Sequence, residues 1–263
     1  MSDTEAPRFD GKIALVTGSS RGIGKAAALR LARGGATLVL NHRRETAAAA
    51  TAARETLDQV ERLGGKVVLV RADIAVPDEV TALFARIEQE FGTLDILVNN
   101  AALTVPKRLM EMEAEDWRLV LDTNIGGPML CTRHAVRLMR GRAGRIVNVS
   151  SLGSRAHFVG GYGGLGAAKA ALETLTMELQ VELDCAGEGI VVNAVCPGVV
   201  DTASFWYFQR KGQIEIDYPT YLTAPEEVAV LVAFLCGGQE MIRGQTIVAD
   251  KGLSLRLSAG ARV

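Results

Sequence analysis

Apolar and polar positions alternate along this chain in a repeating rhythm. A short apolar run of four to six residues is followed by a helix-length segment whose apolar positions recur every three or four residues. Residues 12–17 (KIALVT), 37–40 (TLVL), 67–70 (VVLV) and 94–98 (LDILV) read as four strands. Residues 145–149 (RIVNV), 190–195 (IVVNAV) and 245–248 (QTIV) read as three more. Helices are predicted over 25–33, 45–63, 77–91, 115–139, the segment through Lys169 to about 183, and 225–235. Strands this short and this apolar are buried on both faces, and their alternation with helices predicts a parallel sheet with helices on both sides.

The breaker residues agree with these boundaries. Gly64-Gly65 closes the second helix by supplying a residue able to take positive φ. Pro77 and Pro225 suit a first helical turn, and Gly126-Gly127-Pro128 predicts a kink inside the 115–139 helix. No linker-like stretch and no 20–50-residue repeat interrupts the pattern. The expectation is α/β: one domain over residues 11–263, a doubly wound parallel sheet of about seven strands, behind a polar lead-in at 1–10.

Composition removes several classes of function. A formal charge of −1 over 263 residues gives no basic field for nucleic acid. No apolar run approaches the roughly 20 residues of a membrane span, and the polar N-terminus is unlike a signal peptide. Cys131, Cys185, Cys196 and Cys236 form no CxxC pair, which points to a reducing, cytoplasmic setting. The three histidines are scattered too, so no metal site is expected.

Between the first strand and its helix stands TGSSRGIG, residues 17–24. In that context glycines let the backbone approach a pyrophosphate, and the helix N-terminus offers free N–H groups and a positive dipole. The bland alternative is a tight turn that binds nothing. The second strand runs into Asn41-His42-Arg43-Arg44, with no carboxylate before Glu45, and Arg21 adds a cation in the loop. Arginine at this place pairs with a 2′-phosphate where an acid would accept from a 2′-hydroxyl, so NADPH is favoured. Alternatively Arg43 and Arg44 merely begin a solvated helix.

Residues 160–171, GGYGGLGAAKAA, hold Tyr162 and Lys169 seven residues apart, just downstream of Ser150-Ser151. On a helix that spacing returns to within about 20° of one face, about 10 Å further along. The position four before Lys169 is Leu165, which has no proton to give. The flanking glycines weaken the helix geometry. Tyr162 as an uninvolved loop tyrosine therefore stands beside Tyr162 as a donor.

Together these motifs resemble the short-chain dehydrogenase/reductases over essentially the whole chain: the TGxxxGIG loop, Asn99-Asn100-Ala101 after the fourth strand, and Pro197-Gly198 after the sixth. The resemblance implies a Rossmann-like fold and a catalytic set of Asn124, Ser151, a tyrosine and Lys169. It also implies cofactor contacts from Gly18, Ser20, Arg21, Gly22, Ile23, Gly24, Arg43, Arg44, Asp73, Ile74, Asn100, Ala101, Lys169, Pro197, Gly198 and Thr202. The family usually places its tyrosine four before the lysine. The Tyr-x6-Lys spacing is similar instead to enoyl thioester reductases, most narrowly enoyl-[acyl-carrier-protein] reductase III, with the interval from Ser151 to Lys169 one residue longer, around residues 157–161. By that resemblance Lys169 holds the nicotinamide ribose and, as a nearby cation, favours the more acidic form of Tyr162.

Residues 199–222 read as one long irregular stretch holding Phe205, Trp206, Tyr207, Phe208, Tyr218 and Tyr221. Long segments of this kind often cover active sites, and an aromatic one suits an acyl chain or a flat polycyclic molecule; a subunit interface is the alternative. The leading expectation is NADPH-dependent reduction of the C=C bond of a trans-2-enoyl thioester, carried on acyl carrier protein or coenzyme A, with Tyr162 stabilising the enolate. A carbonyl reductase of a specialised metabolite and a catalytically silent NADPH-binding protein stand beside it. The resemblance implies a homotetramer or homodimer.

Overall fold

The computed structural model describes residues 7–43, 46–156, 161–210 and 218–259. Seven strands, β1 (Ile13–Val16), β2 (Thr37–His42), β3 (Val67–Arg71), β4 (Ile96–Asn99), β5 (Arg145–Val149), β6 (Val191–Pro197) and β7 (Thr246–Ala249), form one parallel sheet. Its order is β3-β2-β1-β4-β5-β6-β7. The order reverses between β1 and β4, so the connections leave the sheet on opposite faces there and open a crevice at the strands' C-terminal ends.

Strand alternation supplies both cores. Ala14, Val16, Leu38, Leu40, Ile96, Val98, Val147 and Val149 point into one cluster. Leu15, Val39, Leu97, Ile146 and Val192, each from an intervening position, point into the other. The first face is covered by α1 (Gly22–Arg33) and α9 (Pro225–Cys236), which pack along each other, with α2 (Ala47–Arg62) beside α1. The second is covered by α3 (Pro77–Phe91), α5 (Gly127–Met139) and α6 (Gly163–Cys185). Each fully buried Leu or Ile adds about 2 kcal/mol of hydrophobic stabilisation.

Local signals act as their chemistry dictates. Pro77 opens α3, Asp78 and Glu79 face its positive end, and Gly92 closes it at φ 69°. Thr46 caps α2 by accepting from the Ala49 N–H at 3.4 Å. Three features differ from the sequence reading. The kink expected at Gly126-Gly127-Pro128 is a π turn over Asp122–Gly126, between α4 (Ala114–Leu121) and α5. Its cause is Asn124, whose side-chain amide donates to the Val120 carbonyl at 2.8 Å, the acceptor its own N–H would use in an α-helix. The stretch expected to be irregular carries α7 (Ala203–Arg210) and α8 (Tyr218–Tyr221), the first capped by the Thr202 hydroxyl accepting from the Phe205 N–H at 3.2 Å. A last helix, α10 (Leu253–Ser258), was not expected; it has too few residues to show a periodic pattern. Among the described residues no helix is long and apolar enough to cross a membrane.

Candidate active site

A cavity of about 940 Å³ fills the crevice, lined by residues from Gly18 near the first strand to Tyr207 on α7. Its floor is the glycine loop. Gly18 (φ 63°) and Gly22 (φ 54°) occupy the left-handed region, and a Cβ on Gly18 would stand 2.9 Å from the Ala101 Cα. Gly24 is buried beneath them, where a Cβ would meet Asn100 Nδ2 at 2.3 Å and the Gly18 carbonyl at 2.4 Å. The Asn100 amide donates to the carbonyls of Thr17 at 2.9 Å and Gly18 at 3.1 Å. Thr17 Oγ1 accepts from the N–H groups of Asn100 and Ala101, each at 3.0 Å. This closed circuit holds the loop's backbone at the start of α1.

Asn41, which the sequence reading passed over, completes the circuit. It is 1 % exposed; its Oδ1 accepts from the Gly18 N–H at 3.3 Å while its amide donates to the Ala72 carbonyl at 3.0 Å. A polar residue at the end of an otherwise apolar strand was its only signal. Beyond β2, Arg43 faces Asp73 at 3.7 Å on the cavity wall, so this cation stands beside a carboxylate from the end of β3. Of the other expected cofactor residues, Ser20, Arg21, Ile23, Ile74, Asn100, Ala101, Pro197, Gly198 and Thr202 also line the cavity. Gly24 does not, acting from below, and Arg44 lies outside the described residues.

The other end of the cavity is built by β5 and α6. β5 delivers Ser150 and Ser151 at its C-terminal edge, and a short 3₁₀ turn, Leu152–Ser154, follows. Ser151 Oγ accepts from the Gly153 N–H at 3.3 Å. Lys169 is 3 % exposed and donates through Nζ to the Val149 carbonyl at 2.7 Å. Burial pulls its pKa down to about 8. Tyr162 stands at the N-cap of α6 with helical backbone angles, and its carbonyl accepts from the Gly166 N–H at 2.8 Å. The helical spacing to Lys169 therefore holds despite the flanking glycines. Ser151, Tyr162, Leu165 and Lys169 all line the one cavity.

One expectation is corrected here, and one residue acts through backbone. Burial pushes the Tyr162 phenol up to about 12 rather than toward acidity. Desolvation of the ring outweighs a lysine two helical turns away, about 10 Å along the axis. Asn124 lines no part of the cavity: it is fully buried, and its amide donates to the Leu103 carbonyl at 2.6 Å, bracing the wall that follows β4.

The aromatic segment reaches the same end. Phe205 packs with Leu152, Val199 and Tyr221, with Tyr162 and Trp206 against that cluster. Phe205 and Tyr207 line the cavity; Trp206 does not, its indole donating to Asp201 Oδ1 at 2.6 Å. The Phe208 and Tyr218 side chains, and residues 157–160 with the extra position, lie outside the described residues. Sequence reasoning also missed Leu103, Thr104 and Pro106, which line the cavity from the segment after β4. A loop with no titratable group carries no chemical signal.

A glycine cradle at a strand-order reversal, sharing its cavity with the buried Lys169 and the half-buried Ser151 and Tyr162, defines a nucleotide-dependent α/β oxidoreductase. The family model described as "Enoyl-(Acyl carrier protein) reductase" matches residues 18–254. A 3-oxoacyl-[acyl-carrier-protein] reductase of Synechocystis sp. is 37% identical over 247 residues, covering 92% of this chain and 96% of its own. A 1-cyclohexenylcarbonyl-CoA reductase of Streptomyces collinus is 37% identical over 253 residues, covering 93% and 87%. The crystal structure of a short-chain dehydrogenase from Burkholderia cenocepacia in complex with NADP superposes with a TM-score of 0.81 at 33% identity, covering 93% and 98%. The chain belongs to the short-chain dehydrogenase/reductase family and is an NAD(P)-dependent oxidoreductase.

Proposed function

We propose that the protein is an NADPH-dependent reductase that saturates the C=C bond of a trans-2-enoyl thioester. The observation that carries this reading is the pair Tyr162 and Leu165. Both face the cavity, but the phenol is seven residues before Lys169 and the position four before it is aliphatic. In ketone reduction the donor must stand at the oxygen on the carbon that receives hydride. In conjugate reduction negative charge develops on an oxygen two carbons further away, and a displaced donor suits it.

The cradle fits a dinucleotide: Gly18 and Gly22 hold left-handed backbone that lays the loop and the start of α1 along the cavity, where the phosphates would meet main chain. Gly18, Gly22 and the α1 N-terminus would hold the pyrophosphate, Arg43 the 2′-phosphate and Lys169 the nicotinamide ribose. Bound there, the cofactor would supply a hydride to Cβ of the substrate, and water would supply the proton that Cα takes as the enolate collapses. Tyr162, its pKa raised to about 12, keeps its proton and donates a hydrogen bond to the thioester oxygen, strongest as that oxygen becomes an enolate. Ser151 adds a second donor or shapes the pocket, and Asn124 braces the wall through Leu103. Phe205 and Tyr207 offer apolar surface to the acyl part. The family-model description and the Streptomyces collinus relative, named for a conjugated coenzyme A thioester, support this reading. The Synechocystis relative, named for a 3-oxoacyl substrate, supports ketone reduction as the second. Coenzyme A and acyl carrier protein both remain candidate carriers, and the family suggests a homo-oligomer.

The test follows NADPH absorbance with a trans-2-enoyl thioester and the matched 3-ketoacyl thioester, for the native enzyme and Tyr162→Phe. Turnover of the enoyl substrate, falling about 10²- to 10³-fold in the variant, is the expected result. Turnover of the ketone alone would move the assignment to carbonyl reduction.

A further inference from the structure

Glu173 lies 8 % exposed behind the serine pair, one helical turn beyond Lys169 on α6, and does not line the cavity. Its Oε1 accepts from the Ser150 hydroxyl at 2.6 Å and lies 2.6 Å from the Ser154 hydroxyl. Its Oε2 accepts from the Arg155 guanidinium at 2.7 Å. The Ser154 hydroxyl is also 2.7 Å from the Ser151 carbonyl, so its one proton serves two acceptors. One carboxylate on α6 is thus bonded to the residue before Ser151 and to both residues that close the turn after it.

The turn and the helix leave no slack. A Cβ on Gly166 of α6 would stand 2.4 Å from the Gly153 carbonyl. Ser150 is pinned as well by its N–H, which donates to the Val195 carbonyl at 2.7 Å. Among the described residues the Ser151 hydroxyl is held by its own turn, accepting from the Gly153 N–H at 3.3 Å, so its aim depends on where that turn sits. An apolar side chain could cover the same surface without the cost of desolvating a charge. A carboxylate adds direction, because it only accepts and so draws the donors around it into fixed orientations.

We propose that Glu173 is a positioning residue for Ser151, anchoring the 150–155 turn to α6 so that the hydroxyl holds its place in the cavity. This rests on the reading of Ser151 as part of the active centre. The test uses the full chain saturated with NADPH, comparing Glu173→Ala and Glu173→Gln in the native and Ser151→Ala backgrounds. Turnover is read with both thioesters, and hydrogen–deuterium exchange is read over residues 150–156.

In the native background Glu173→Ala is expected to lower kcat about tenfold or more with little change in KM. With Ser151→Ala already present it should cost less than about threefold, since no hydroxyl remains to be aimed. Glu173→Gln should recover much of the loss, and exchange over 150–156 should quicken in the order native, Gln, Ala. An equal loss in both backgrounds, an unchanged kcat or unchanged exchange would overturn the proposal. If the alanine variant does not fold, the glutamine variant carries the same comparison, with a smaller loss confined to the native background. Absence of turnover on both thioesters would count against the enoyl and ketone readings and not against Glu173. The exchange data would then decide for Glu173: faster exchange confined to 150–156 supports it, and unchanged exchange overturns it.

Discussion

Lys169 Nζ donates to the Val149 carbonyl across 2.7 Å, tying a buried ammonium on α6 to the last residue of β5. A single hydrogen bond does not replace a hydration shell, and the amine's pKa falls from 10.5 to about 8. Between those values the unfolded chain binds more protons than the folded one, so stability rises with pH. The penalty of burying the cation is fully present below about pH 8 and fades as pH climbs toward 10.5. Denaturant unfolding of the ligand-free protein should therefore show the native chain gaining on Lys169→Met by on the order of 2–3 kcal/mol between neutral and strongly alkaline pH. Parallel pH dependence in the two would mean that the ammonium is not depressed.

Leu165 faces the cavity at the place where the family usually carries its phenol. Leu165→Tyr puts a donor one helical turn from Lys169, at the distance that serves a carbonyl receiving hydride on its own carbon. The variant should raise the ratio of ketone to enoyl turnover by about 10²-fold, the scale of one general acid. Steady-state kcat/KM on matched thioesters measures it; an unchanged ratio would show that donor position does not select the reaction.

Arg43 stands 3.7 Å from Asp73, so its charge is partly spoken for before a nucleotide arrives. Even so, Arg43→Ala should shrink the preference for NADPH over NADH by about tenfold, the worth of one charged hydrogen bond. Competing affinities from fluorescence titration provide the readout. A preference that survives intact would place the 2′-phosphate elsewhere.

Gly24 supports the cradle from beneath, and Gly24→Ala forces a methyl to within 2.3 Å of the Asn100 amide. The expected cost is about 1–3 kcal/mol of stability, with nucleotide affinity falling as the Asn100 bonds to Thr17 and Gly18 are disturbed. Gly126→Ala, whose Cβ would find nothing nearer than 4.0 Å, is the control and should leave melting and affinity unchanged. Melting curves with and without NADPH compare the two.

The fold was readable because the central strands are buried on both faces and the helices that cover the sheet are long enough to show their period. Val67–Arg71 and Pro77–Phe91 emerged within a residue of their sequence boundaries for that reason. What escaped notice was set by side chains acting on backbone at a distance. Asn124 makes a π turn by taking the Val120 carbonyl, and nothing in the DTNIGG string distinguishes it from a helix interrupted by glycine. Asn41 and Glu173 act through partners 23–31 and 18–23 residues away in sequence, which no local pattern reveals. The phenol's direction of titration was misjudged because spacing gives the distance to Lys169 but not the desolvation around the ring.

The cavity wall draws on the chain from Gly18 to Tyr207, with β1 beside β4 at its centre. A nascent chain released only through β4 would own the glycine cradle but neither Ser151 nor Lys169. Parallel strands joined by long crossovers form late in folding, because loop closure must precede their contacts. Nucleotide capture thus becomes a certificate of completed assembly. Molecules stalled partway, lacking Ser151 and Lys169, are expected to hold the coenzyme poorly, so NADPH would stabilise the finished copies alone.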